Sequence, residues 1–253
     1  METGTRPSHA RADGFLAVAV ILAVWKLAAV GIGTDIILPP PERVLTTLFE
    51  VIASDKFASS LGATILRGLA AFGISMLLGV AAGFAAGVSP RFESFMGPGL
   101  TIIRATPVLA VILIALIWFP SGVVPVFSAV IMAFPVVAAD VSAGVRSADH
   151  RLLEMASAFS VSPRDASLYI RLPSAMPHVV SAAKNAVGLS WKVVVAGEVL
   201  SQPANALGTG MQNARIMLET AEVFAWASVG VVLCALSDMA FDLLARRLSW
   251  PTK

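Results

Sequence analysis

Charge is scarce in this 253-residue chain. Only 13% of its residues are Asp, Glu, Lys or Arg, about half the share of a soluble domain, which excludes an ordinary water-facing globular surface. Cysteine occurs once, as Cys234 inside the last apolar block, so no disulfide framework is available and the residue reads as a small packing group. The three histidines, His9, His150 and His178, sit in separate polar segments without ligand spacing, so no metal site is expected. No His-Glu-x-x-His motif occurs, and no histidine lies in an apolar core beside a nucleophile. An intramembrane hydrolase therefore has no machinery here, and no residue is assigned a catalytic role. No Gly-Lys pair occurs anywhere, which excludes a phosphate-cradling P-loop.

What the chain has instead is apolar length. Apolar residues make up 57% of it and the mean hydropathy is +0.82, gathered in blocks that approach the roughly 20 residues a helix needs to cross a bilayer. The fold class this predicts is all-α, a polytopic membrane helical bundle of about six transmembrane helices, over 15–33, 61–88, 95–118, 123–141, 179–200 and 223–245. Around them the sequence divides into a tail at 1–14, a polar segment at 34–60, a core at 61–245 interrupted by a hydrophilic loop at 142–178, and a tail at 246–253.

With both termini cytoplasmic, the cytoplasmic side collects Arg6, Arg11, Arg91, Arg146, Arg151, Arg164, Arg171, Arg246, Arg247 and Lys253. The outer side holds only Arg43, Lys56 and Arg215, as the positive-inside rule requires. The first span also has the outline of a signal peptide, with Arg6 and Arg11 ahead of an apolar run. However, the run from Phe15 to Gly33 is long for that role, and its removal leaves an odd number of spans. Lys26, in its second half, is placed to snorkel to the outer interface.

Leu38-Pro-Pro-Pro41 is expected to stop the first helix, and Glu42 to Ile52 to form a short amphipathic helix on the outer surface, with Val44, Leu45, Leu48, Val51 and Ile52 as its apolar stripe. In the second span Ala71, Ser75, Gly79, Gly83 and Gly87 recur every four residues. This is a face for close helix packing, inside the bundle or against a second copy.

The loop at 142–178 carries the most specific pattern. Leu152, Met155, Ala156 and Phe159 give a short helix one apolar face, and Ser160 to Ser162 breaks it. Ser162 then serves as N-cap, Pro163 as the first helical residue and Asp165 as the acidic partner of a second short helix, which Pro173 and Pro177 are expected to end. The result is a helical knob with an apolar patch and a rim of Arg151, Glu154, Arg164, Asp165 and Arg171, which needs a partner surface.

This segment resembles the cytoplasmic signature of bacterial ABC import permeases, Glu-Ala-Ala, three residues, Gly, nine residues, Ile-x-Leu-Pro. The chain reads Glu154-Met155-Ala156, then Ser160, then Ile170-Arg171-Leu172-Pro173, five of seven defined positions at the same spacing. It departs at Met155 and at Ser160, where glycine's free access to positive φ is lost. Phe134-Pro135, Gly144-Val145-Arg146 with Asp149, Trp191 followed by Glu198, Gly208, and Arg246-Arg247 with Trp250 look like the nitrate, sulfonate and taurine branch of that family.

The resemblance implies a type I importer permease in the bacterial inner membrane. It implies a second permease copy, two ATPase subunits that hold ATP and Mg, a periplasmic or lipid-anchored substrate-binding protein and no cofactor on this chain; nucleic acid is no expected partner. It implies that the knob is a coupling element, in which Arg151, Glu154, Met155, Ala156, Phe159, Ser160, Ile170, Leu172 and Pro173 meet the ATPase. It further implies a small oxyanion such as nitrate, a sulfonate, taurine or bicarbonate as solute, although similar permeases carry neutral vitamin precursors.

Charges within spans are costly and mark candidates for a pathway. Lys184, Trp191 and Glu198 recur every seven residues on one expected face, with Lys192 to the side. Arg104 lies three residues before Pro107, where a proline kink is expected to free backbone groups that need water or a partner. Arg104, Trp191, Lys192 and Glu198 are the pathway candidates, Arg104 and Lys192 being the deepest. For each the alternative is an intramembrane ion pair or a snorkelling side chain. A secondary transporter is the rival reading, but the internal repeat and midplane acids typical of that class are absent.

Overall fold

The computed structural model describes residues 8–248, and every regular element among them is helical. Arg6, Trp250 and Lys253 lie outside the described residues. Helix α1 (Ser8–Ile32) is stopped by Gly33 rather than by the proline run. Gly33 takes φ +72° and donates its N–H to Ala29 at 3.0 Å, a left-handed stop that costs glycine little. The prolines instead start α2 (Pro41–Ala53), with Pro41 in the first turn, where a missing N–H is harmless. Part of the α2 stripe docks on protein: Val44 and Val51 are buried, and Val51 joins Leu207, Ala225 and Trp226 in one cluster with Leu48 against it, while Leu45 and Ile52 stay exposed. Trp25 Nε1 donates to the Pro39 carbonyl at 3.1 Å, and Lys26 pairs with Glu42, which ties α1 to α2.

Helix α3 (Phe57–Val88) is followed by α4 (Pro90–Ala105) and α5 (Val108–Trp118). The span expected over 95–118 is thus not one helix: α4 and α5 meet at a 100° bend. The cause is Pro107, whose ring pushes the preceding residue out of the helical region; Thr106 accordingly has ψ 127°. Next come α6 (Val124–Arg146), α7 (His150–Ala158), α8 (Pro163–Ala166), a π-helical turn at Ser167–Arg171, α9 (Leu172–Ser201), α10 (Leu207–Ile216) and α11 (Thr220–Leu248).

Four helices are long and apolar enough to cross a membrane: Phe57–Val88, Val124–Arg146, Pro163–Ser201 and Thr220–Leu243. The bent α4–α5 pair makes a fifth if counted as one span, and Leu16–Ile32 is a shorter apolar helix. In chain order these are the six apolar segments legible in the sequence.

Pro173 and Pro177 do not end a helix. Helical structure runs unbroken from Pro163 to Ser201, because the π turn widens the backbone just ahead of Pro173, with the Leu172 N–H reaching back five residues to Ser167. That extra residue relieves the clash a proline makes with the carbonyl four residues earlier. Helix α10 was not legible: the stretch after Ser201 reads as a loop, yet Leu207, Gly208 and Ala214 are buried.

The centre of the bundle is α3, α6 and α9. Ala133, Val137, Val141 and Val145 of α6 pack with Ala175, Ala182 and Ala186 of α9, and Phe72, Met76, Val80 and Phe84 of α3 close over them. The small-residue face of α3 is consumed inside the chain. A Cβ added at Gly79 would sit 2.5 Å from Val137 Cβ, and one at Gly83 would sit 2.5 Å from the Ala138 carbonyl oxygen. Large apolar side chains such as Leu66, Leu77, Ile117 and Val231 point outward, the inverse of a water-soluble bundle and what a hydrocarbon surround demands.

Candidate functional site

The two ends of the bundle carry different chemistry. At the end formed by α10 and the start of α3, Glu198 is fully buried. Thr64 Oγ1 lies within 3.0 and 2.9 Å of its two carboxylate oxygens, Arg67 Nη1 donates to it at 2.8 Å, and the Gly208 N–H donates at 3.3 Å. Thr64 Oγ1 in turn accepts the Leu207 N–H at 3.1 Å, while Arg67 Nη1 also reaches the Asn205 carbonyl at 2.8 Å. The first two N–H groups of α10, those of Leu207 and Gly208, have no partners within their own helix and are thus satisfied by side chains of α3 and α9. Glu198 caps α10 across the tertiary fold, and the positive end of that helix favours its charge.

Glycine is required at 208 for this approach: an added Cβ would sit 2.5 Å from Glu198 Cβ and from the Val199 nitrogen. Trp191 is buried two turns below, its ring filling a notch at Gly68, where an added Cβ would lie 2.1 Å from the ring. Trp191 and Glu198 therefore face α3.

Their expected companion Lys184 lies on the uncovered side of α9, together with Ser181, Asn185 and Lys192. Lys184 Nζ pairs with Asp242 of α11 at 2.6 Å, and Asn185 Nδ2 donates to Asp140 of α6 at 3.5 Å. Asp238 lies over Gly188, its Oδ1 3.7 Å from where a Cβ would stand. Lys192, one turn further along, is exposed and has no ion-pair partner among the described residues. A polar stripe thus runs along a helix of membrane-crossing length and is left uncovered by its own chain. Arg104 is exposed at the end of α4, in a crevice between α3, α4 and α6; no hydrogen bond or ion pair joins it to Lys192.

At the other end stands the knob. Asp149 Oδ1 accepts the Arg151 N–H at 2.8 Å and caps α7. Ser162 Oγ accepts the Asp165 N–H at 3.1 Å and donates to the Asp165 carboxylate at 2.7 Å, capping α8. Between them Ser160 adopts φ +54°. Its N–H bonds to Ser157 at 3.0 Å and that of Val161 to Ala156 at 2.9 Å, the paired bonds of a Schellman stop. Serine therefore takes up the left-handed conformation that glycine enters more cheaply.

Ala156 is buried against its own chain, whereas Leu152, Met155 and Phe159 are 44%, 52% and 79% exposed, a bare apolar face on a helix of 9 residues. Arg151 and Glu154 are exposed beside it, with Glu154 3.1 Å from His150. Ile170 and Leu172 are half-buried and Pro173 is exposed. Arg171 Nη1 donates to the Gly87 carbonyl at 3.4 Å, anchoring the base of the knob to the end of α3. Among the described residues no three His, Cys, Asp or Glu side chains come together as metal ligands.

Residues 75–250 match the family described as "Binding-protein-dependent transport system inner membrane component". The chain is 28% identical over 239 residues to the taurine transport system permease protein of Escherichia coli (strain K12), covering 92% of this chain and 86% of that protein. It is 27% identical over 198 residues to the nitrate import permease protein of Synechocystis sp., covering 73% and 70%. Its fold is shared with a chain in the crystal structure of an amino acid ABC transporter with histidines, at a TM-score of 0.63 and 18% identity over 75% of this chain and 92% of that one.

Proposed function

This chain belongs to the family of binding-protein-dependent transport inner membrane components, and from that premise we propose that it is the pathway-forming subunit of an ABC importer for a small oxyanion-bearing solute, driven by separate ATPase subunits. The observation that carries the proposal is the bare apolar face of α7 with Glu154 at its edge. A stably capped helix that presents Leu152, Met155 and Phe159 to water has the chemistry of half an interface.

In this reading the knob is cytoplasmic and seats on an ATPase, which holds ATP and Mg, and a substrate-binding protein delivers solute at the α10 end. Met155 and Phe159 supply the apolar contact, Arg151 and Glu154 orient it, Ser160 sets the angle between α7 and α8, and Ile170, Leu172 and Pro173 stiffen the base. Closure of the ATPases on ATP drives the knobs together and rocks the spans behind them, a rigid-body route to alternating access.

The uncovered stripe of α9 faces a second permease copy, and the pathway runs between the two. Lys192 is the pathway residue that its exposure favours. The burial of Trp191 and Glu198 favours a scaffold role for both, and Arg104 belongs to a separate crevice. The stripe sets Lys184 and Lys192 among Asp140, Asp238 and Asp242. That mixture of signs favours a solute carrying both an ammonium and a sulfonate, such as taurine, over a bare anion.

The test is uptake by vesicles holding the chain with its ATPase and binding protein, run against taurine, an alkanesulfonate, nitrate, bicarbonate and a neutral heterocycle. ATP-dependent uptake that the Glu154→Lys substitution reduces at least tenfold, with the thermal unfolding midpoint unchanged, is the expected result. Uptake driven by an ion gradient without ATP contradicts it.

A further inference from the structure

The crevice between α3, α4 and α6, at the α7 end of the bundle, has a volume of about 250 Å³. Its apolar wall includes Ala82, Ala86, Ala138 and Ala139, and its polar groups are Glu93, Thr101, Arg104, Ser142 and Arg146. Three of these are already engaged: Glu93 pairs with Arg146, and Thr101 Oγ1 donates to the Gly97 carbonyl at 2.9 Å. Two are not.

Arg104 has no hydrogen-bond or ion-pair partner among the described residues, although it stands on a chain with few charges. Ser142 is only 5% exposed, and its Oγ has no partner. Many helical hydroxyls in this chain bond back to the carbonyl four residues earlier, as Ser75 does to Ala71 at 2.7 Å and Ser174 to Ile170 at 2.8 Å; the buried hydroxyls of Ser128, Ser142 and Ser190 have no partner, and of these Ser142 lines the crevice. Ser142 forgoes that bond, and a buried hydroxyl left unpaired is costly.

A guanidinium offers only donors, and Ser142 has a donor free; the acceptor-rich group that satisfies both is an oxyanion. Because Glu93 is neutralised by Arg146, the crevice as a whole carries one net positive charge. We infer that this crevice is a binding site for a phosphate- or sulfonate-like oxyanion group, held by the Arg104 guanidinium and the Ser142 hydroxyl. The group comes either from an anionic phospholipid headgroup in the adjoining leaflet, where basic pockets between helices take such headgroups, or from a free oxyanion. The site is separate from the α9 stripe, so failure of either leaves the other standing.

The test uses the full chain in a neutral detergent, titrated separately with phosphatidylglycerol, phosphatidylcholine and inorganic phosphate, with binding read by native mass spectrometry and by the thermal midpoint. Phosphatidylglycerol or phosphate is expected to bind and phosphatidylcholine is not. Saturation by phosphatidylglycerol alone assigns the headgroup, and saturation by phosphate assigns the free anion. Arg104→Gln weakens binding about fivefold, the value of one basic contact. Ser142→Ala weakens it without lowering the ligand-free midpoint, and Glu93→Gln, which releases Arg146, tightens it. Arg91→Gln, an exposed basic residue outside the crevice, changes nothing. Absence of binding by either anion, or an equal loss in Arg91→Gln and Arg104→Gln, overturns the inference.

Discussion

Two glutamates, Glu198 and Glu154, stand at opposite ends of the bundle and differ in every physical respect. Glu198 is fully buried and receives hydrogen bonds from three residues on two helices; Glu154 is 67% exposed by side chain and pairs with His150 of its own helix. The first holds the fold together and the second is free to meet another protein. A carboxylate in an apolar chain is thus not informative by itself; what surrounds it separates scaffold from interface.

The sharpest way to break that distinction is to remove the buried one. Glu198→Ala strands Arg67 and the Gly208 N–H of α10, and loss of one partner from a buried pair costs about 3–5 kcal/mol. The chain is expected to lose its folded population, read as a large drop in thermal midpoint in detergent. Glu198→Gln, which can still accept from Thr64 and Gly208, is expected to fall between that variant and the native chain.

A smaller effect, of either sign, separates the two faces of α3. Gly83→Ala puts a methyl group against the Ala138 backbone oxygen at 2.5 Å, which cannot move without shifting α6, at a cost of about 1–3 kcal/mol. Gly73→Ala on the same helix meets nothing within 4 Å and should stabilise by up to about 1 kcal/mol through helix propensity. Equal effects of the two would show that α3 and α6 are not closely packed.

The smallest change belongs to the knob. Ser160→Gly relieves a serine held at φ +54° and should stabilise the stop of α7 by about 1 kcal/mol, visible as slower amide exchange at Ser157 to Val161 with little change in the global midpoint. Faster exchange would mean that the left-handed turn is not the conformation in solution.

The six apolar segments and the caps of α7 and α8 were legible because they rest on local chemistry: long apolar runs, Ser162-Pro163 and the spacing of Leu152, Met155 and Phe159. Pro107 bends its span, as the kink expected there requires, although hydropathy joins the two halves; Pro173 and Pro177 misled, because they lie inside a helix that a π turn keeps continuous. The sequence pattern lacks the neighbouring backbone that decides between these outcomes. Helix α10 escaped because its stability is tertiary, its first turn being capped by Thr64 and Glu198, more than 140 residues and 10 residues away. The seven-residue spacing placed Trp191 and Glu198 beside Lys184, but α3 covers two of the three, and only Gly68 and Gly208, which make room for them, hinted at that.

Docking of the exposed end on an ATPase is read from the affinity of purified ATPase subunits for the full chain in nanodiscs, native against Phe159→Ser. Phe159 is 79% exposed, so the substitution leaves the fold intact, and loss of an aromatic anchor should weaken association by about 2 kcal/mol, roughly thirtyfold. Affinity unchanged by Phe159→Ser, in a chain whose midpoint is also unchanged, would mean that the face of α7 is not the docking surface.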